Sequence, residues 1–127
     1  MAEYLLDSDV IIWILRGKAD AIAAARDLQA RGGLGCSALS VFEVELGMRR
    51  GEEDRTRDLL RSLTCYPVEG EIAAQAAVWF REYRRKGRTL DFIDLLIAAT
   101  CLRLDLTLVT YNPRDFPMPD LALLPLG

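Results

Sequence analysis

Acidic residues stand at the points of this chain where a carboxylate can do chemistry. Asp7 directly follows the apolar run YLL, with Asp9 two residues on. Glu43 comes just after the short apolar stretch Leu34 to Ser37, Asp94 lies in the opening turn of an apolar segment, and Asp115 follows LTLVT. In a parallel sheet, strand ends and the helix starts that follow them meet at one edge, where open α/β sheets bind their ligands. Carboxylates gathered there repel one another and stay ionised only if a cation or protons neutralise them. The chain contains no histidine, so an oxygen-only ligand set selects a hard ion such as Mg2+ or Mn2+. Such an ion activates water and holds a phosphate without an imidazole. The same absence excludes Ser-His-Asp triads, Cys-His pairs, histidine-ligated metals and histidine-driven ribonuclease chemistry.

Each acid also has a structural use. Ser40-Val41-Phe42-Glu43 has the S-x-x-E form of a capping box opening a helix. Asp91 can cap the helix that holds Asp94, an acid favoured there by the helix dipole. Asp9 can cap the helix after the first strand. Asp7 is the hardest to explain this way, because an acid entering the interior edge of a sheet is costly to bury.

The elements that must position these residues are short and alternate. Glu3 to Asp7 reads as a buried strand and Ser8 to Leu15 as a helix ended by Gly17. Ala19 to Ala30 is an alanine-rich helix closed by Gly32-Gly33, and Leu34 to Ser37 a second strand. A helix opened by Ser40 is expected to run to about Arg50, before Gly51, and another spans Glu52 to Leu63. Cys65 to Val68 is a short strand; the helix Glu71 to Lys86 carries Ile72, Ala76, Phe80 and Tyr83 along one face. Asp91 to Leu104, apolar on nearly all sides beyond its first turn, reads as a buried helix. Leu106 to Thr110 is the clearest strand, and Leu121 to Leu124 is one more. Strands alternating with helices imply an α/β fold with a mostly parallel sheet covered on both faces. Without repeats or linker-like tracts, the 127 residues are expected to form one domain.

Composition narrows the setting. Hydrophobic residues make 51% and charged residues 28% of the chain, a balance that argues against disorder. Three cysteines, Cys36, Cys65 and Cys101, lack CxxC spacing, which argues against a disulfide framework or a thiolate zinc site and fits a reducing cytoplasm. The amino terminus lacks a basic n-region, and no apolar stretch nears the roughly 20 residues that span a bilayer, so neither export nor an anchor is expected. Net charge is −3, but all except two of the 16 basic residues, Lys18 and Lys86, are arginine. Arginine suits bidentate phosphate contact, and the stretch REYRRKGR concentrates Arg81, Arg84, Arg85 and Arg88. It reads either as a solvated helix end or as a phosphate-binding surface, with Arg49 and Arg50 next in line.

The strings LLDSDVII, SALSVFEVELG, DFIDLLIAAT and LVTYNPRDF, in this order, resemble the motifs of PIN-domain ribonucleases, specifically the VapC toxins of bacterial toxin–antitoxin pairs. The resemblance runs from Asp7 to Phe116. It implies a three-layer PIN-like fold and a metal-dependent endoribonuclease, with Mg2+ or Mn2+ on the acidic cluster and a cognate VapB-type antitoxin as inhibitor. By position, Asp7, Glu43 and Asp94 match the family's core acids and Asp115 a fourth, with Asn112 at the neighbouring T-x-[ND] step. Ser8 and Thr110 match hydroxyls that support the acids, with Asp91 beside them. The resemblance further suggests a homodimer and an antitoxin tail whose Arg or Lys enters the acidic pocket. An apolar surplus points to an interface too: Val10 to Leu15 and the face of Ile72, Val78, Trp79 and Phe80 exceed what one small sheet readily covers.

Two other classes share part of the pattern. Asp7-Ser8-Asp9 looks like the D-x-D opening of haloacid-dehalogenase-type phosphatases, and the length and paired acids match a phosphoacceptor receiver domain. Both need a lysine after a late strand, where this chain has Thr110-Tyr111-Asn112.

Overall fold

The computed structural model describes residues 2–127. Its elements run β1 (Tyr4–Leu6), α1 (Ser8–Leu15), α2 (Ala19–Gly32), β2 (Leu34–Ser37), α3 (Ala38–Leu46) and α4 (Glu53–Ser62). They continue with β3 (Thr64–Tyr66), α5 (Gly70–Arg85), α6 (Phe92–Leu104), β4 (Thr107–Thr110), a 3-10 turn at Pro113–Asp115 and β5 (Leu123–Pro125). The strands form one sheet in the order β3-β2-β1-β4-β5 with every neighbouring pair parallel. The α/β expectation holds.

Side-chain alternation along the strands divides the core into two layers. Leu5 and Leu108, register partners on β1 and β4, face α5 and α6, where they meet Ile72, Ala76, Trp79, Leu95 and Ala98. Leu6 and Val109, the next pair, face the opposite side with Val10, Ile11, Leu28, Cys36 and Val44. Helices thus cover both faces of a sheet only three or four residues deep. Gly35 is dictated by this closeness: a Cβ there would lie 2.8 Å from the Thr64 carbonyl oxygen and 2.7 Å from the Tyr66 ring.

The strand order carries functional information. Chain progression reverses between β1 and β4, and this switch point is where open α/β sheets leave a crevice at their carboxyl ends. A receiver domain follows the 2-1-3-4-5 order, so this topology sets the receiver reading aside.

Several local expectations need correction. The Ser40–Glu43 capping box does not form, because the chain turns directly from β2 into α3 and the extended Ser37 becomes the cap, its Oγ accepting from Leu39 N at 3.1 Å. Ser40 and Glu43 fall inside the helix, and their side chains turn to α1 instead. The helix ends at Leu46 rather than near Arg50, since Gly47 is a poor helix-interior residue. At α1 the cap is Asp7, not Asp9. The apolar surplus shrinks as well, because Val10, Ile11, Leu15, Ile72 and Trp79 are all buried within the single chain. Among the described residues the large apolar side chains left exposed are Trp13, Phe42, Leu46, Val78 and Phe92. No helix among the described residues is long and apolar enough to cross a membrane.

Candidate functional site

The switch-point crevice opens where β1 and β4 end. Asp7, the first residue past β1, has its N–H bound to the Val109 carbonyl at 2.9 Å and its side chain turned inward, 7% exposed. One carboxylate oxygen accepts from Ser8 N at 2.9 Å, capping α1, and the other from Thr110 Oγ1 at 2.8 Å. The last residue of β4 therefore holds the first acid after β1. Thr110 Oγ1 also accepts from Asn112 N at 3.0 Å, which ties the loop after β4 to the same point. Asp7 is thus both cap and buried acid. Replacing Thr110 by Val keeps its shape but strands one Asp7 oxygen and the Asn112 amide; a loss of about 1–3 kcal/mol in denaturant unfolding is expected.

Glu43 arrives from α3. Its Oε1 accepts from Ser8 Oγ at 2.6 Å, and Ser8 Oγ lies 2.9 Å from the fully buried Ser40 Oγ. These hydroxyls form a short chain that aims Glu43 back at the crevice. Asp94 comes from the first turn of α6, its N–H bound by the Asp91 cap at 3.0 Å. Asp91 is therefore a capping residue, as one of its expected roles allowed. Asp115 closes the 3-10 turn and is exposed.

The electrostatics show that these acids share one space. Burial is the main reason the Asp7 carboxyl rises from 3.8 to about 6; Asp9 and Glu43 push it further, while the Thr110 and Ser8 bonds pull it down. Asp94 rises to about 7, first through burial and then through repulsion from Asp7, Asp91, Asp115 and Glu43. Asp9 is also raised, mainly by burial, with Asp115 adding to it and Asn112 and nearby amides opposing. None of those amides closes a well-formed bond to Asp9 Oδ1, which is buried without a partner, while Asn112 Nδ2 donates to the other oxygen.

A divalent cation fits this donor set. Every candidate ligand is a hard oxygen, neighbouring carboxylates help to raise the Asp7 and Asp94 pKa values, and the buried Asp9 Oδ1 beside them is unpartnered. Among the described residues no three acids close on one point as a ready-made cage. An ion held there would keep water in its shell, as Mg2+ usually does.

Two residues of the arginine stretch contact elements that carry the acids, α6 and the 3-10 turn. Arg81 lines an apolar groove of about 350 Å³ with Phe80, Leu95, Leu96 and Phe92, the residue after Asp91. Arg88 donates to the Arg114 carbonyl in the turn that carries Asp115. The two lysines sit over aromatic rings, Lys18 over Tyr111 and Lys86 over Tyr83, and among the described residues neither pairs with Asp7 or Asp9. The lysine that a haloacid-dehalogenase-type phosphatase sets against its D-x-D pair is therefore missing from Asp7 and Asp9. Sequence reading missed two features, the Asp9–Asn112 contact and the hydroxyl pair Ser8–Ser40. Nothing in residue spacing signals either, since the partners lie 103 and 32 positions apart.

Comparison with known proteins agrees with this geometry. The family described as PIN domain matches residues 4–120. Ribonuclease VapC10 of Mycobacterium tuberculosis is 42% identical over 118 residues, covering 90% of this chain and 86% of that protein. A toxin–antitoxin complex from Klebsiella pneumoniae contains a chain of TM-score 0.79 and 27% identity, with 95% of each chain covered. VapBC2 from Rickettsia felis, bound to a DNA fragment from its promoter, superposes over 98% of both chains with TM-score 0.86 at 20% identity. The chain belongs to the PIN-domain family, among its VapC-type members.

Proposed function

We propose that the chain is a VapC-type endoribonuclease toxin that hydrolyses RNA phosphodiester bonds at the β1–β4 crevice, with a divalent ion such as Mg2+ or Mn2+ held by Asp7, Glu43, Asp94 and Asp115. The observation that carries this is the mutual repulsion of those acids at the switch point, in a chain 42% identical to a protein named as a ribonuclease. When bound, the ion lowers the pKa of a coordinated water and neutralises phosphate charge. The protein's own part is orientation. Ser8 N and Thr110 fix both oxygens of Asp7, Ser8 Oγ aims Glu43, and Asp91 holds the first turn of α6 so that Asp94 faces them. Asn112 restrains Asp9 at the rim.

An acidic pocket repels a polyanion, so RNA needs cations beside it. Arg81, Arg84 and Arg85 at the end of α5 and Arg88 just beyond it supply them, with Arg88 bonded to the turn bearing Asp115. One PIN-like domain, working in the cytoplasm, accounts for the whole chain. The partner is a VapB-type antitoxin, in keeping with the toxin–antitoxin complexes that share this fold. The chain also works as a homodimer: of the apolar residues that composition pointed to, Trp13 and Val78 stay exposed, and Phe42 and Leu46, one turn apart on α3, with Phe92 at the start of α6, add exposed apolar surface.

Incubation of the purified protein with single-stranded RNA and Mg2+ or Mn2+ tests the reading. Products with 5′-phosphate and 3′-hydroxyl ends are expected, and a chelator should stop their formation. Cyclic 2′,3′-phosphate ends, or cleavage indifferent to the chelator, reject it.

A further inference from the structure

One turn beyond Asp9 on the same face of α1 stands Trp13, a large apolar side chain left 45% exposed. The Lys18 ammonium lies 5.2 Å from the Trp13 ring centroid and 4.1 Å from that of Tyr111. Tyr111 is itself flanked by Thr110, which donates to Asp7, and Asn112, which donates to Asp9. A cation held between two aromatic rings therefore adjoins the acidic crevice by two routes, along α1 and along the end of β4. Part of this arrangement is structural. Tyr111 packs against the core layer under α1 and α2, and Lys18 over its ring pins the turn between those helices. That role leaves the exposure of the indole unexplained. The Lys18–Asp20 contact, 3.7 Å between a half-buried lysine and an exposed carboxylate, is too weak to consume the lysine charge.

An exposed aromatic ring and a cation beside a phosphodiester-cleaving crevice match what unpaired nucleic acid requires. Bases stack on the ring, and the backbone follows the charge. Resting on the nuclease reading above, we propose that Trp13 and Lys18 form a nucleotide subsite. An unpaired base flanking the cleaved phosphate stacks on the Trp13 indole, and Lys18 contacts the adjoining phosphate. Tyr111 is a positioning residue that holds Lys18 in place. Stacking tolerates every base, so the subsite selects single-stranded RNA over duplex, whose bases are already stacked, and sets little base identity.

The test uses the full chain carrying Asp94→Asn, so that RNA is bound without turnover, and a short fluorescein-labelled single-stranded RNA read by anisotropy. Trp13→Ala is expected to weaken binding roughly tenfold, and Lys18→Met to flatten the log–log salt dependence by about 0.7. Unlabelled RNA should quench tryptophan emission, and Trp13→Phe should remove the quench while binding persists, because the other tryptophan, Trp79, is buried. Unaltered affinity in a folded Trp13→Ala protein overturns the subsite. Should that variant fail to fold, an unchanged salt slope in Lys18→Met together with unquenched Trp13 emission overturns it equally. Loss of self-association in Trp13→Ala by light scattering, with RNA affinity intact, assigns the face to a second copy and also refutes the proposal. A parent protein that binds no RNA removes the nuclease reading and this inference together, whereas a parent that binds RNA with Trp13→Ala unchanged removes only the subsite.

Discussion

Replacing Asp7 with Asn is expected to lower RNA cleavage by more than about 100-fold, because losing merely an outer partner of a metal ligand costs about 10- to 100-fold. The substitution keeps the volume of the side chain and removes its charge. Asn can still accept from Ser8 N and offer its amide to Thr110 Oγ1, whose oxygen can turn to accept it, so the cap of α1 and the link to β4 survive. Asp94→Asn should behave similarly, since the Asp91 cap is made through the backbone N–H of residue 94 and does not need its carboxylate. Initial rates with excess divalent ion, beside circular dichroism of each variant, check both. A folded Asp7→Asn protein with the parent rate removes Asp7 from the site.

Without divalent ions, stability is expected to fall as the pH rises from about 4 towards 7. The sign follows from the direction of the shift: the Asp7 pKa in the folded chain, about 6, lies above the ordinary 3.8, so the folded state holds that proton more tightly than the unfolded chain does. Folding is favoured while the carboxyl is protonated and penalised once both states have lost the proton. For Asp7 alone the penalty is on the order of 3 kcal/mol. Asp94, raised to about 7 partly by the same neighbours, adds in the same direction, but the two are coupled and do not sum. Asp7→Asn should therefore raise the melting temperature of the metal-free protein at neutral pH. Mg2+ or Mn2+ should raise that of the parent more than that of the variant, because binding only the folded state stabilises it by mass action. Melts across this pH range in chelator decide the matter. A parent whose melting temperature does not fall relative to Asp7→Asn would show that the acids are not strained together.

Much of the fold was legible because its elements are short and sharply punctuated. The apolar runs YLL and TLVT mark the two central strands, and Gly17 and Gly32-Gly33 mark helix ends. The candidate acids Asp7 and Asp94 were legible for a related reason: one sits at a strand end and the other at a helix start, where parallel topology must bring such positions to one edge, whereas Glu43 lies inside α3. Less legible were the roles within the site. An S-x-x-E spacing specifies a capping box only if the serine begins the helix, and here β2 delivers Ser37 to that position three residues early. Ser40 is thereby rotated into the interior and Glu43 towards α1.

What the amino-acid sequence determined by itself was the chemistry available: oxygen ligands without imidazole, arginine in place of lysine, and strands and helices in alternation. These depend on residue type and local period, which are carried by neighbouring positions. Only the tertiary structure decided the pairings. Thr110 reaches Asp7 across 103 positions, Ser8 reaches Glu43 across 35, and the Leu5–Leu108 and Leu6–Val109 registers choose which face each strand residue covers. The order β3-β2-β1-β4-β5 is likewise a global choice, and it puts the reversal between β1 and β4 and so opens the crevice beside Asp7. Desolvation and charge repulsion act through space rather than along the chain, so the raised pKa values of Asp7 and Asp94 exist only once distant acids share one buried edge.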